Sequence, residues 1–268
     1  MTRDFVLHDA VLLATQALLV ALPAAGVPAW IRARATARWA LVLPLSIAVV
    51  VGAIALLPNV ADGLTWLALI GVPIGAALAL GWAMRGARAP LALLAAPLLV
   101  LAWGWQEAPS GQLAALALTA LSCVTLGRLL AGVAPGSWLK VGIVAMAIVD
   151  AILVFSHGLQ QPNAVLNAAV PAPGLPSLQF ADFGPAELGY GDLFVAAVLG
   201  GVLAVEGARV WRWALVAFAL AEAFTLLFYV TDTLPATVPV AATLLVREAL
   251  LAWRARRPAP LRVGAVTD

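Results

Sequence analysis

From residue 39 to residue 57 the chain reads WALVLPLSIAVVVGAIALL, nineteen positions without a charge. At a rise of about 1.5 Å per residue such a run is a helix of about 28 Å, close to the thickness of a bilayer's hydrocarbon core. Runs of this kind recur along the chain, near 5–24, 39–57, 64–84, 90–105, 111–133, 138–157, 188–206, 210–230 and 234–252. A soluble domain cannot hide so many, and 10% charged residues against 64% hydrophobic ones leaves no polar exterior where a soluble chain carries about 25% charge. The fold expected is therefore an all-α membrane protein, a polytopic bundle of about nine transmembrane helices in one domain over 1–268, with a tail at 253–268.

Prolines punctuate the series: Pro23 and Pro28 follow the first run, Pro58 the second, and Pro90, Pro109 and Pro135 open the fourth, fifth and sixth. The exception to these tight connections is 158–187, which carries five prolines. Connections of that length without their own structure are usually functional or disordered. Within it SLQFADF alternates enough to allow a short strand. The first run, with His8 and Asp9 at its start, reads as a retained helix and not a cleaved signal.

Charge sets the orientation. Arg32, Arg34, Arg38, Arg85, Arg88, Arg128, Lys140, Arg209, Arg212, Arg247, Arg254, Arg256, Arg257 and Arg262 fall on one side of the nine spans, and Arg3 alone on the other. Basic residues collect on the cytoplasmic side, so the N-terminus and the 158–187 loop are expected outside and the C-terminus inside. The basic residues are dispersed through short loops, which excludes a nucleic-acid stripe. Arg254, Arg256 and Arg257 form a juxtamembrane cluster suited to anionic lipid. Trp30, Trp39, Trp103, Trp105, Trp138, Trp211 and Trp253 lie near span ends, as in an interfacial belt.

Ionisable groups inside spans are costly and mark function or a partner. Asp150 lies in the sixth span and Asp192 at the start of the seventh. The sixth runs outward and reaches Asp150 about 10 Å before its end; the seventh runs inward and reaches Asp192 after about 6 Å. The two carboxyls thus share a depth on successive helices, which tend to be neighbours. Facing acids cannot both ionise easily. A carboxylate beside a carboxylic acid is what water-activated peptide hydrolysis needs, one to deprotonate water and one to protonate the developing oxyanion. The pair titrates as a unit, so the roles of base and acid stay unassigned. Gly189 and Gly191 flank Tyr190 just before Asp192 and allow close approach of another backbone; the alternative is a helix start with Asp192 as its cap.

IVDAIL in the sixth span, LGYGDLF in the seventh and LPATVPVAA at the ninth resemble the presenilin and signal peptide peptidase family of intramembrane aspartyl proteases. Its pattern is an aspartate in the sixth span, often preceded by tyrosine, a Gly-x-Gly-Asp in the seventh and a Pro-Ala-Leu opening the ninth. This chain has Val149 before its aspartate and Thr237 in place of the leucine, departures that bear on specificity more than on catalysis. The resemblance implies a catalytic pair of Asp150 and Asp192. It also implies a substrate site at Gly189, Tyr190, Gly191, Leu234, Pro235, Ala236 and Thr237, where an unwound substrate would join a short strand such as SLQFADF. With the N-terminus outside, the topology is that of the signal peptide peptidase branch. Substrates would be transmembrane segments or leftover signal peptides, with no cofactor.

Glu222, mid-way through the eighth span, is a third deep carboxylate, read as a hydrogen-bonded interhelical group, a cavity-lining group or a proton relay. His157 ends the sixth span. Two histidines and one cysteine, Cys123, give no basis for a metal site or a disulfide. Two other activities fit part of the pattern. A secondary transporter could use Asp150, Asp192 and Glu222 as ion or proton sites. A prepilin-type peptidase also carries Gly-x-Gly-Asp, but works at the cytoplasmic face and lacks the ninth-span proline.

Overall fold

The computed structural model describes residues 3–256 except 58, 157, 159, 170, 230 and 232. Pro58, His157, Arg257 and Arg262 lie outside the described residues. Each of the nine apolar runs is helical. They form α1 (Arg3–Ala21), α3 (Val42–Leu56), α4 (Val60–Leu78), α5 (Ala95–Gly104), α6 (Pro109–Val133), α7 (Gly136–Phe155), α9 (Tyr190–Val205), α10 (Val210–Thr225) and α11 (Val238–Ala255). Tighter 3₁₀ turns lead into α3 and α5, a 3₁₀ turn follows α10, and a π turn, Ala79–Ala83, extends α4. Two further helices occupy connections, α2 (Ala29–Arg32) and α8 (Gln160–Ala168).

Among the described residues, five helical stretches are long and apolar enough to cross a membrane: Ala37–Ile54, Val60–Ala83, Pro109–Val133, Gly136–Phe155 and Val210–Tyr229. Three more are apolar but short: His8–Ala21, Ala89–Gly104 and Tyr190–Val205. Helix α11 carries Arg247, Glu248 and Arg254, which dilute its apolar character. Its start also departs from expectation. Helix begins at Val238 and not at 234, because Pro239 supplies the first-turn proline while Pro235 sits in the turn before it, its carbonyl accepting from the Val238 N–H.

Helix α9 is the axis of the bundle. Every residue from Leu193 to Ala204 is buried, the pattern of a helix enclosed on all sides. It packs against α6, α1, α7 and α11. Where lipid replaces water there is little hydrophobic gain from helix association, so close packing of small residues and interhelical hydrogen bonds decide it. Both occur here. A Cβ on Gly127 would lie 2.5 Å from the Ala197 backbone, and one on Gly201 would lie 2.7 Å from the Gly127 carbonyl oxygen. The α6–α9 crossing therefore admits nothing larger than hydrogen at either place. Thr125 of α6 donates to the Gly75 carbonyl of α4 (2.7 Å). The tryptophans near span ends are exposed, as are Leu45, Val49, Leu67, Ile70, Ile74 and Leu215 on the outer helices. So wide an apolar exterior belongs against lipid.

The bundle is not purely helical. The stretch expected to hold a short strand contains β1 (Phe180–Phe183), which pairs antiparallel with β2 (Ala186–Gly189). Gly184 and Pro185 form the two-residue turn, with Gly184 at φ 59°, the glycine-first loop that suits strand twist. A side chain at Gly184 would also meet the His8 ring at 2.3 Å. Ala181 and Leu188 are cross-strand partners buried on one face of the hairpin; Asp182 and Glu187 oppose each other on the other.

At the far end of the same helices lies a four-membered ion cluster. Lys140 of α7 bridges Glu206, at the end of α9, and Glu248 of α11, at 2.8 and 2.9 Å. Arg247 of α11 contacts Glu206 at 2.7 Å and Glu248 at 2.6 Å. Arg128, near the same end of α6, donates to the carbonyls of Gly26 and Trp82 and lies over the Trp82 ring.

Candidate functional site

Strand β2 runs without interruption into α9, so the Gly189–Asp192 segment is the joint between an extended and a helical backbone. Gly189 is the residue before the first helical position and is extended (φ −66°, ψ 148°). Asp192, three residues on, turns back so that its Oδ2 accepts the Gly189 N–H at 3.1 Å. This is one half of a capping box; the other half needs a side chain that glycine lacks. Asp192 thus makes a helix-cap hydrogen bond, and its place in the bundle also sets it toward a second acid.

That acid is Asp150, three-quarters along α7 and buried, 5% exposed. Met146, one turn earlier on α7, lies against Gly191, with 3.6 Å between its Cε and the place a Cβ would occupy. The α9 start and the Asp150 turn are therefore adjacent.

The third segment arrives from α11. Thr237 is fully buried, and its hydroxyl donates to Asp150 Oδ2 at 2.6 Å while its backbone N–H points at the same oxygen at 3.4 Å. Thr237 stands at the N-cap position of α11, where a threonine commonly caps its own helix, yet its hydroxyl makes no such bond. A buried carboxylate needs donors, and this one takes the hydroxyl. Gln16 of α1, 3% exposed, completes the group: its Nε2 donates to the carbonyls of Ala236 (3.0 Å) and Asp192 (3.3 Å). Of the residues singled out in the sequence, Asp150, Gly189, Gly191, Asp192, Ala236 and Thr237 are thus gathered at one place, with Leu234 and Pro235 in the non-helical segment leading to it.

Tyr190 is spent differently. Its hydroxyl shares a hydrogen bond with Ser122 Oγ of α6 at 2.9 Å, and its carbonyl receives the Cys123 Sγ contact at 3.9 Å. Tyr190 fastens the start of α9 to α6. Glu222 also stands apart: it interacts electrostatically with Asp9 across the α1–α10 contact, and its Oε1 is buried with no hydrogen-bond partner among the described residues. His8 stacks near Phe183 of β1, ring centres 5.1 Å apart.

A cleft of about 400 Å³ opens beside the hairpin, lined by Gln106, Glu107, Gln112, Asp182 and Glu187 among others. Loss of solvent in the cleft, and then the Glu187 charge opposite, raise Asp182 from the usual 3.8 to about 6. Burial raises Glu187 as well, against the lowering effect of its Asn167 hydrogen bond. A larger cavity of about 550 Å³, between Arg32, Val202 and Glu206, lies at the ion-cluster end, away from the acids.

Gln16 and Ser122 escape sequence reasoning. The signal for Gln16 was present, a single amide in an apolar run, since a polar group at that depth needs partners. Which partners it had could not be read from the chain alone. Compared with protein-family models, with curated proteins and with solved structures, this chain matches none.

Proposed function

We propose that the chain is an intramembrane aspartyl protease that hydrolyses peptide bonds of transmembrane segments or signal peptides, with Asp150 and Asp192 activating water. The observation that carries this reading is the meeting of three separated segments at one buried point: Gln16 joins the carbonyls of Asp192 and Ala236, and Asp150 is hydrogen-bonded to Thr237 of the Pro-Ala-Thr segment. Acids placed only to stabilise a bundle have no need of this third, non-helical segment.

In this reading one carboxylate takes a proton from water as the water oxygen attacks the peptide carbonyl carbon. The partner carboxylic acid gives its proton to the carbonyl oxygen, and a gem-diol forms. Collapse breaks the C–N bond. The first acid returns its proton to the leaving nitrogen while a gem-diol proton passes to the second, and the pair regains its starting state. A helical substrate must unwind before its carbonyl is accessible, and the β1–β2 hairpin offers a strand edge next to Asp192 for the extended segment. The non-helical stretch before α11 has backbone groups that are tolerated at membrane depth only where they meet water or a partner.

Nine membrane crossings with the N-terminus outside accompany the proposal. Fourteen basic residues against one favour that orientation, and the acids and the hairpin then lie toward the outer face, as in the signal peptide peptidase branch. The test is incubation of the purified protein with a tagged transmembrane peptide, alongside Asp150→Ala and Asp192→Ala. Cleavage by the parent chain and by neither variant is expected; cleavage that persists in both variants overturns the proposal.

A second reading, an ion- or proton-coupled transporter using Asp150, Asp192 and Glu222, is favoured by one observation, the buried Glu222 oxygen with no hydrogen-bond partner among the described residues. It predicts a gradient-driven pH change in proteoliposomes that Glu222→Gln abolishes.

A further inference from the structure

Gln16 stands on a helix that carries none of the three sequence motifs, yet its side chain reaches two of the three segments at the acids. Its Nε2 lies 3.0 Å from the Ala236 carbonyl oxygen and 3.3 Å from the Asp192 carbonyl oxygen. Two acceptors facing one amide end require the NH₂ there and not the carbonyl, since only the nitrogen carries donors, and it carries two. Both hydrogen bonds are long-range, joining residue 16 to residues 192 and 236, and the side chain is 3% exposed. One hydrogen atom of the amide is thus directed at the first turn of α9 and the other at the turn preceding α11. Ala236 is the residue before Thr237, whose hydroxyl and N–H both address Asp150. Displacing the Ala236 peptide therefore displaces the donors on Asp150.

We propose that Gln16 is a positioning residue of the acid site: its amide staples the 234–237 segment to the start of α9, which holds Thr237 on Asp150 and fixes Asp150 against Asp192. Gln16 touches neither carboxyl group; it acts through the backbone of both segments. The 234–237 segment has no helix of its own and enters α11 only at Val238, so it is the member of the site with least internal support. The staple supplies support from α1.

The catalytic part of this inference rests on the protease reading, and the structural part does not. The experiment separates them. Gln16→Met keeps side-chain length and volume in an apolar setting and removes both donors. On the full chain in nanodiscs, backbone hydrogen exchange is followed at residues 233–241 and 189–193, and initial rates are measured on a tagged transmembrane peptide. Expected for Gln16→Met is faster exchange at 233–241 with unchanged exchange in α6, and a fall in kcat of roughly 10- to 100-fold with KM changed by less than about threefold, the pattern of misplaced reacting groups. Because Gln16 acts through Thr237, the double variant Gln16→Met/Thr237→Val should lose little more than the worse single variant.

Unchanged exchange at 233–241 overturns the staple whatever the activity. Faster exchange with full kcat, or strictly multiplicative losses in the double variant, overturns the positioning role while leaving the protease reading intact. Faster exchange in Gln16→Met, with a parent chain that does not cleave, sustains the staple and removes the protease reading.

Discussion

Removing one oxygen atom from Thr237 should disable this site without unfolding the protein. Thr237→Val is nearly isosteric, and at a fully buried position the shape of the packing survives. What is lost is the hydroxyl donor 2.6 Å from Asp150 Oδ2; what remains is the backbone N–H at 3.4 Å, a poor substitute at that distance. Hydrogen bonds to charged groups contribute about 1.5–3 kcal/mol. If the bond serves the reacting state in full, that converts to a loss of roughly 10- to 150-fold in rate, at about 1.4 kcal/mol per tenfold. Thr237→Ser keeps the donor and should stay within about fivefold of the parent, which separates the hydroxyl from the methyl. Thr237→Leu is a different perturbation, because a position with no exposed surface has no space for the added methylenes. The assay is the initial rate of cleavage of a tagged transmembrane peptide, with thermal unfolding recorded for each variant. A Thr237→Val chain that cleaves within about twofold of the parent, with unchanged unfolding, refutes the assignment of the hydroxyl to the acid.

Asp192→Asn should abolish cleavage yet unfold near the parent temperature, because an amide oxygen still accepts the Gly189 N–H while it cannot exchange a proton with water; residual turnover in that variant removes Asp192 from the reacting pair. Gly127→Ala should lower the thermal midpoint by an amount corresponding to roughly 1–3 kcal/mol, because the added Cβ meets the Ala197 backbone at 2.5 Å; an unchanged midpoint means that α6 and α9 are further apart than described. Asp182, raised to about 6 by loss of solvent and then by Glu187, binds its proton more tightly folded than unfolded. Its contribution is present in full below about pH 4 and is lost as pH rises toward 6 and beyond. Hydrogen-exchange protection in β1 and β2, relative to the intrinsic base-catalysed rate, should accordingly fall between pH 4 and 6, and Asp182→Asn should flatten that fall; a parent hairpin whose protection rises over this interval contradicts the sign.

The helices were legible because a run of about twenty apolar residues has few other fates, whatever its neighbours. The neighbourhood of the Asp150 turn and the start of α9 was legible for a related reason: successive apolar helices tend to pack side by side. Strand β2 was not. Ala186–Gly189 carries no β-branched residue and is a strand because β1 lies beside it, a non-local cause invisible in its own sequence. The start of α11 was misread because Pro235 and Pro239 both suit a first turn, and only the turn at Ala236–Thr237 decides between them. Helix α8 was hidden by the prolines around it. Thr237 stood out in the sequence as a departure from the resembled pattern. That its hydroxyl would bypass its own helix for a carboxyl 87 positions earlier is a matter of assembly that no local rule contains.

The ion cluster of Lys140, Glu206, Arg247 and Glu248 turns the three helices of the site into levers with a common foot. Fourteen residues separate Asp192 from Glu206, an arm of about 21 Å, and ten separate Lys140 from Asp150 and Thr237 from Arg247, arms of about 15 Å. With the feet tied, a tilt of about 5° in one helix carries its tip roughly 1.3 Å sideways over one of the shorter arms. That is nearly half the length of the bond between Thr237 and Asp150. Admission of a bulky segment between the tips therefore asks for no unfolding and no sliding of helices, only a small splay about an anchored base.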